Sequence, residues 1–292
     1  MDVDGRSGAS VVRVGGWEGY GWLRAGFSAR CGGVSSAYGG KTLNLGWKSE
    51  DDDANVAENR RRILRGVAGE DRGGGGFRLV TVRQIHSDGI CVVREGDGPL
   101  VTENGRAVLE GDGLVTDVPG VMLGVQVADC VPVLVADVER RVVGAFHAGW
   151  RGTLAGIAGL GVERMREEFG SRAEDLVAAV GPSIGPCCYS VGAEVRELFE
   201  GRFGYGAGLF SERVDEEGRA ATYLDLWEAN RRQLADAGVA PGKIEVLGEC
   251  SACARDEAGE RRYFSHRAEN GAAGRMMAAI GVARDGIRGQ TS

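Results

Sequence analysis

The chain has 292 residues, enough for one large domain or two ordinary ones, and its 43% hydrophobic content is that of a globular protein with a substantial core. A formal net charge of -7 and a pI near 5.2 argue against a nucleic-acid surface or an anionic membrane surface, both of which need a basic face, though a local basic pocket is compatible with that total. No run of about 18 apolar residues occurs and the start is acidic and polar, so neither a spanning helix nor a secretory signal is expected, and the cytoplasm is the default compartment.

Residues 1–10 are expected to be flexible, and 11–30 alternate and read as opening strands before a turn at Cys31-Gly32-Gly33. A short extended piece follows at 43–46. Asp53 can cap a helix over 54–66, with Val56, Ile63, Leu64 and Val67 near one face. Residues 70–76 read as a glycine-rich surface loop. From 77 to 93 the pattern predicts two strands around a Ser87-Asp88-Gly89 turn, and 96–113 a long acidic connection. Valine-rich strands are predicted at 121–128, 131–137 and 141–147. Thr153 caps a predicted helix that runs to about Phe169 and closes at Gly170, with its internal glycines weakening it. Strand 176–181 leads into a rigid loop containing Cys187 and Cys188. Asp225 and Glu228 form an Asp-x-x-Glu start for a helix ending at Gly238, and further strands are expected at 243–248 and 275–282. With no fixed-period repeat and no long linker, the simplest account is one α+β domain over 1–292, of mixed, largely antiparallel sheets flanked by helices. The seven cysteines lack the spacing of a small disulfide scaffold and read as reduced thiols.

A hairpin turn on Asp137-Val138-Glu139-Arg140, the polar interruption between two valine strands, pairs 136 with 141 and 134 with 143. Continuing that ladder places Cys130 opposite His147, with β-carbons roughly 4.5 to 5.5 Å apart on one face. A thiolate and imidazoles converging at about 2.0 to 2.3 Å suit a zinc ion. His86 is the best third ligand, because it too ends a valine-rich strand and precedes a turn; the remaining histidine is His266. Two other readings stay open here: a buried cysteine beside a hydrogen-bonded histidine, and a nucleophile with its base.

The stretches QIHS (84–87), DGLVTDVPGV (112–121), ADCVPVLVAD (128–137), HAGWRGT (147–153), GPSIGPCCYSVG (181–192), DLWEANRRQL (225–234) and YFSHRAENGAAGRM (263–276) occur in that order. On these the chain resembles the multicopper polyphenol oxidase, or laccase-domain, family, better described as purine nucleoside phosphorylases and also as peptidoglycan editing factors. The resemblance runs from about residue 27 to the end. It implies zinc held by His86, Cys130 and His147, and so favours a metal over a cysteine nucleophile. It also implies phosphorolysis of adenosine, inosine, guanosine and methylthioadenosine, together with deamination of adenosine. His266 stands where the family often has tyrosine, and Glu269-Asn270 departs from its Arg-Arg-Asp-Gly pattern.

Three protein ligands leave a fourth position of a catalytic zinc open, which suits activation of water against an electron-poor carbon such as C6 of adenine. Phosphorolysis needs a held phosphate, and Arg151 beside the amides of Gly152 and Thr153 at a helix start supplies donors. Asp129 can orient a metal ligand or meet backbone amides. Gln84 and Asn44 can reach a substrate or satisfy loop backbone, and Arg267 and Arg275 can bind an anion or be solvated. Asp225 reads as a helix cap rather than a base. Cys187-Cys188 and Cys250-x-x-Cys253 look metal-like, but a lone Cys-x-x-Cys is weak and both are read as structural. The partners expected are purine nucleosides and phosphate, with no nucleic acid and no membrane, on a monomer. Alternatives are an editing hydrolase for muramyl-peptide precursors, a non-catalytic zinc module, and a copper-dependent phenol oxidase; copper is the second metal, although multicopper chemistry needs more than three histidines.

Overall fold

The computed structural model describes residues 9–69, 76–214 and 218–284. Residues 1–8 and 70–75 of the expected flexible start and glycine-rich loop lie outside that set, and Ala9 is fully buried.

The chain opens with β1 (Val11–Val12), β2 (Leu23–Ser28), β3 (Cys31–Ser35) and α1 (Asp53–Ala68). It continues with β4 (Arg78–Thr81), β5 (Ile90–Val93), β6 (Gly113–Thr116), β7 (Val121–Val127), β8 (Val131–Asp137) and β9 (Val142–Ala148). Then come α2 (Trp150–Ala155), α3 (Ile157–Phe169), β10 (Leu176–Val180), β11 (Ser190–Val191), α4 (Ala193–Arg202), β12 (Phe210–Val214) and β13 (Ala220–Leu224). The last elements are α5 (Leu226–Asp236), β14 (Ile244–Val246) and β15 (Met276–Val282).

One sheet has the order β1-β2-β15-β7-β4 and a second β14-β10-β8-β9-β6-β5, with a small third sheet β11-β13-β12. Pairing is antiparallel except for β4 with β7, β5 with β6 and β10 with β14. The two large sheets face each other. Leu123, Val125, Ala278 and Ile280 of the first pack against Leu134, Ala136, Val143 and Ala145 of the second. The outer face of the second sheet, with Val133, Val135 and Phe146, is covered by Ile157, Val162 and Met165 of α3 and Ala229 and Leu234 of α5. The outer face of the first is covered by Ile63 and Val67 of α1. The result is an α+β fold in which β8, β9 and β10 are buried on both faces, which is why they read as nearly continuous apolar runs, interrupted by Asp137 and His147. No helix among the described residues is long and apolar enough to cross a membrane.

Several expectations change. Residues 31–35 are a strand rather than a turn. Asp52, not Asp53, caps α1 by accepting from the Ala54 N–H, and the buried face of that helix carries Asn59 and Arg60 as well as Val56, Ile63 and Val67. β4 and β5 do not form a hairpin; they belong to different sheets, and residues 82–89 cross between them. The short strand β6, the helix α4 and the β12–β13 hairpin stand in regions where no element was predicted. The helix expected from Thr153 starts earlier and is broken. Gly149 is its N-cap, and Gly156, at φ 95°, ends α2 and begins α3. That left-handed backbone is open to glycine, and its N–H closes α2 on the Gly152 and Thr153 carbonyls.

Candidate active site

The β8–β9 ladder pairs Asp137 with Val142 and Val131 with Ala148, so His147 faces Pro132 and not Cys130. The turn is responsible. Asp137 stays in the strand while its carboxylate accepts from the N–H groups of Glu139 (3.0 Å) and Arg140 (2.8 Å), which moves the loop to residues 138–141. The displacement is two residues, so the faces are preserved. Cys130 and Gly149 lie one residue beyond the last pair of the ladder. A β-carbon at Gly149 would stand 3.0 Å from Cys130 Sγ and 3.2 Å from His86 Cδ2, so this glycine leaves the space in which thiol and imidazole meet.

His86 lies five residues beyond the end of β4, at φ 60°, in the 82–89 crossing. Asp112 holds it there. This fully buried carboxylate accepts from the N–H groups of Ile85 (3.1 Å), His86 (3.1 Å) and Ser87 (2.7 Å) and from Ser87 Oγ (2.8 Å). It also lies 2.7 Å from His147 Nδ1, which leaves Nε2 free to face the thiol. Burial pushes the Asp112 carboxyl up, but the hydrogen bonds from His147 and Ser87 outweigh it and bring its pKa to about 2. The local pattern around Asp112 offered one usable signal: a carboxylate at the head of a buried strand must find donors.

The donor atoms of His86, Cys130 and His147 all lie within 4.8 Å of one another, with Cys130 Sγ 3.9 Å from His86 Nε2. The two imidazoles meet edge to face at 5.0 Å. A tetrahedral ion with bonds of about 2.0 to 2.3 Å separates its donors by roughly 3.3 to 3.8 Å, so the cluster could hold a metal ion after a small contraction. Burial would raise the Cys130 pKa, yet the charge of His147 and hydrogen bonds from both histidines bring it down to about 6. Burial would likewise lower that of His147, and the Cys130 thiolate and Asp112 raise it to about 9. The two values describe a thiolate beside an imidazolium: the sulfur has the charge a metal ligand needs, and His147 would give up its Nε2 proton on binding an ion.

The cluster opens into a cavity of about 510 Å³, within the size range of small-molecule sites. All three histidines of the chain line it, as do Arg60, Arg83, Arg106 and Arg275, and its lining contains no carboxylate. Arg83 pairs with Glu110 and Arg106 with Asp53, whereas Arg60 and Arg275 have no ion pair among the described residues. Arg60 is 7% exposed; burial and the neighbouring Arg106 lower its pKa to about 10, which leaves it charged at neutral pH. Its Nη2 is buried without a partner, as is the indole N–H of Trp47, whose ring lies 4.7 Å from the Arg60 guanidinium carbon. The Arg275 guanidinium donates to the carbonyls of Ala273 and Gly274, and the Cys130 charge is among the groups that offset its burial.

Gln84 lines the cavity and exchanges both its amide hydrogen bonds with the backbone of Gln126 (2.8 and 2.7 Å). Asn44 is fully buried and bonded on both sides, to Gly46 and Asp51 and from the N–H of Arg275, so it braces that arginine. Asp129, at φ 86°, accepts from Ser251 Oγ and the Arg267 N–H, each at 2.6 Å, and Asp112 has the histidine contact instead. Arg267 is exposed and donates to the carbonyl and hydroxyl of Ser190. Arg151 is exposed, stacks on Trp150 at 4.3 Å and is outside the cavity wall. Gly152 is buried beneath it, where a β-carbon would come 3.2 Å from the Ser87 carbonyl, and the Thr153 N–H is used on Gly149. Asp225 caps α5 through the Glu228 N–H.

The family described as multi-copper polyphenol oxidoreductase laccase matches residues 24–283. The chain belongs to that family. It is 37% identical over 274 residues to Purine nucleoside phosphorylase YlmD of Geobacillus stearothermophilus, covering 90% of this chain and 95% of that one. It is 39% identical over 176 residues to Adenosine deaminase RL5 of an unknown prokaryotic organism, covering 60% of this chain and 66% of that one. The fold is similar to the crystal structure of the Bacillus licheniformis hypothetical protein YfiH, with a TM-score of 0.79 and 34% identity over 93% of this chain and 96% of that one.

Proposed function

We propose that this chain is a zinc-dependent purine nucleoside phosphorylase that also deaminates adenosine. The observation that carries this reading is a single cavity joining a thiolate and two imidazoles to a wall of arginines without a carboxylate. The names of the relatives support the reaction classes. One sulfur and two nitrogens are a zinc donor set, and His86, Cys130 and His147 would hold the ion; three histidines are too few for multicopper chemistry. When bound, zinc supplies Lewis acidity that brings the ionisation of water towards neutral pH.

The chain's own groups divide the remaining work. Asp112 keeps the proton on His147 Nδ1 and fixes the direction of Nε2. Arg60 and Arg275, the cavity's cations without an ion pair, hold the attacking phosphate. Phosphate oxygen bonds to C1′ of the ribose while the bond to the base breaks, giving free base and ribose 1-phosphate. In deamination water replaces the 6-amino group and ammonia leaves, so no bound anion is required.

Adenosine incubated with the purified protein and phosphate is expected to yield adenine and ribose 1-phosphate, together with inosine. Only the first pair should respond to phosphate concentration, which chromatography with and without phosphate reads directly. A muramyl-peptide precursor carrying a wrong first amino acid is run in parallel. Turnover of that precursor, with adenosine untouched, overturns the nucleoside reading.

A further inference from the structure

Four of the seven cysteines come together at a place separate from the His86 cluster. Cys187 and Cys188 stand in the 181–190 loop after β10, and Cys250 and Cys253 in a turn after β14. Their sulfurs all lie within 4.8 Å of one another, and Cys187 Sγ is 3.6 Å from Cys253 Sγ. Tetrahedral zinc with bonds of about 2.3 Å separates its sulfurs by roughly 3.8 Å.

Burial and the neighbouring sulfurs push the Cys187 and Cys188 thiols up, as expected of thiols crowded together, whereas backbone donors draw Cys250 down. Cys250, the most buried of the four, accepts at Sγ from the Gly185 N–H at 3.3 Å. Four thiolates around a divalent cation carry a net charge of about -2. An arginine is hydrogen-bonded to each ligand segment: Arg261 donates to the Ala252 carbonyl at 2.7 Å, and Arg213 to the Pro186 carbonyl. The two segments are already tied to each other, by Ser183 N–H to the Glu249 carbonyl (3.2 Å) and Ser251 N–H to the Ser183 carbonyl (2.9 Å).

We propose that Cys187, Cys188, Cys250 and Cys253 bind a second zinc ion in a closed tetrathiolate site that clamps the 181–190 loop to the 249–254 turn. With four protein ligands it has no open position and is structural; each thiol still protonated gives up its proton to solvent as the sulfur–zinc bond forms. The clamp has a target. Ser251, between the two cysteines of the turn, donates to Asp129, the neighbour of Cys130, and the Ile184 N–H bonds to the Asp129 carbonyl at 2.9 Å. The second ion thus holds the segment that presents Cys130.

The test is zinc analysis of the full chain purified under reducing conditions. Wild type is expected to hold two ions, His86→Ala/His147→Ala one, and Cys187→Ser/Cys253→Ser one. Cobalt loaded into the His86→Ala/His147→Ala variant should show intense sulfur-to-metal absorption. If the double-cysteine variant does not fold, the His86→Ala/His147→Ala chain is titrated with a mercurial, and its zinc should leave as the four thiols are modified. Zinc absent from that chain, thiols that react without releasing metal, or a Cys187–Cys253 disulfide in the native chain would each overturn the proposal. None of these readouts depends on activity, so they stand apart from the nucleoside assignment.

Discussion

Asp112 accepts from three backbone N–H groups and one hydroxyl besides the imidazole of His147, so its charge serves the 85–87 loop and the candidate metal cluster at once. Asp112→Asn places an amide where donors converge and leaves at least one of them unmatched. It is expected to cost about 1 to 3 kcal/mol in denaturant unfolding and to weaken zinc about 10- to 100-fold in a competition with a chelator. An unchanged zinc affinity would remove Asp112 from the site. Arg275→Ala is expected to slow phosphorolysis by about one to two decades, the equivalent of a charge-assisted contact of about 1.5 to 3 kcal/mol. Deamination should be affected far less. Equal losses in both reactions would mean that Arg275 binds the nucleoside or supports the fold. Arg151, exposed and stacked on Trp150, is expected to leave the ratio of the two rates unchanged when replaced by alanine.

At the level of elements, α5 shows how local signals and tertiary demands combine. Its Asp225 cap and first-turn Glu228 are legible in the sequence, and Glu228 in turn pairs with Arg231 and Arg232 at 2.6 Å each. Those hydrogen bonds hold the Glu228 pKa at about 2, below its ordinary 4.5. A depressed carboxylate stabilises the fold above its unfolded pKa and loses that contribution as pH falls through the folded one. Wild type should therefore exceed Glu228→Gln in stability at pH 6, with the difference shrinking between about pH 4.5 and 2. The pair is solvated, so the difference stays below about 1 kcal/mol. A gap that does not change with pH, followed by urea midpoints, contradicts the assignment. The helix after β9 is the opposite case: its break at Gly156 depends on a left-handed residue that a count of apolar positions does not reveal.

On the scale of the whole molecule, the His86 cluster joins the 82–89 crossing to the adjoining ends of β8 and β9, whose strands pack in the core on both sides. His86→Ala/His147→Ala should abolish phosphorolysis and deamination together while the far-UV circular dichroism and most of the thermal stability persist. Unfolding of that variant would show that the cluster is structural. The sequence alone located the strands read over 121–128, 131–137, 176–181 and 275–282, found at 121–127, 131–137, 176–180 and 276–282, because strands buried on both faces must be largely apolar. It also determined that Cys130 and His147 share a face, since an error of two residues in register leaves parity intact. The tertiary structure alone decided the partners. Asp112 reaches His147 across 35 residues, Arg60 and Arg275 reach one cavity from α1 and the start of β15, and Cys187 meets Cys253 across 66. Periodicity records which side of a strand or helix is buried; which buried groups then meet depends on loop paths and on the packing of one sheet against another, and no local pattern encodes those.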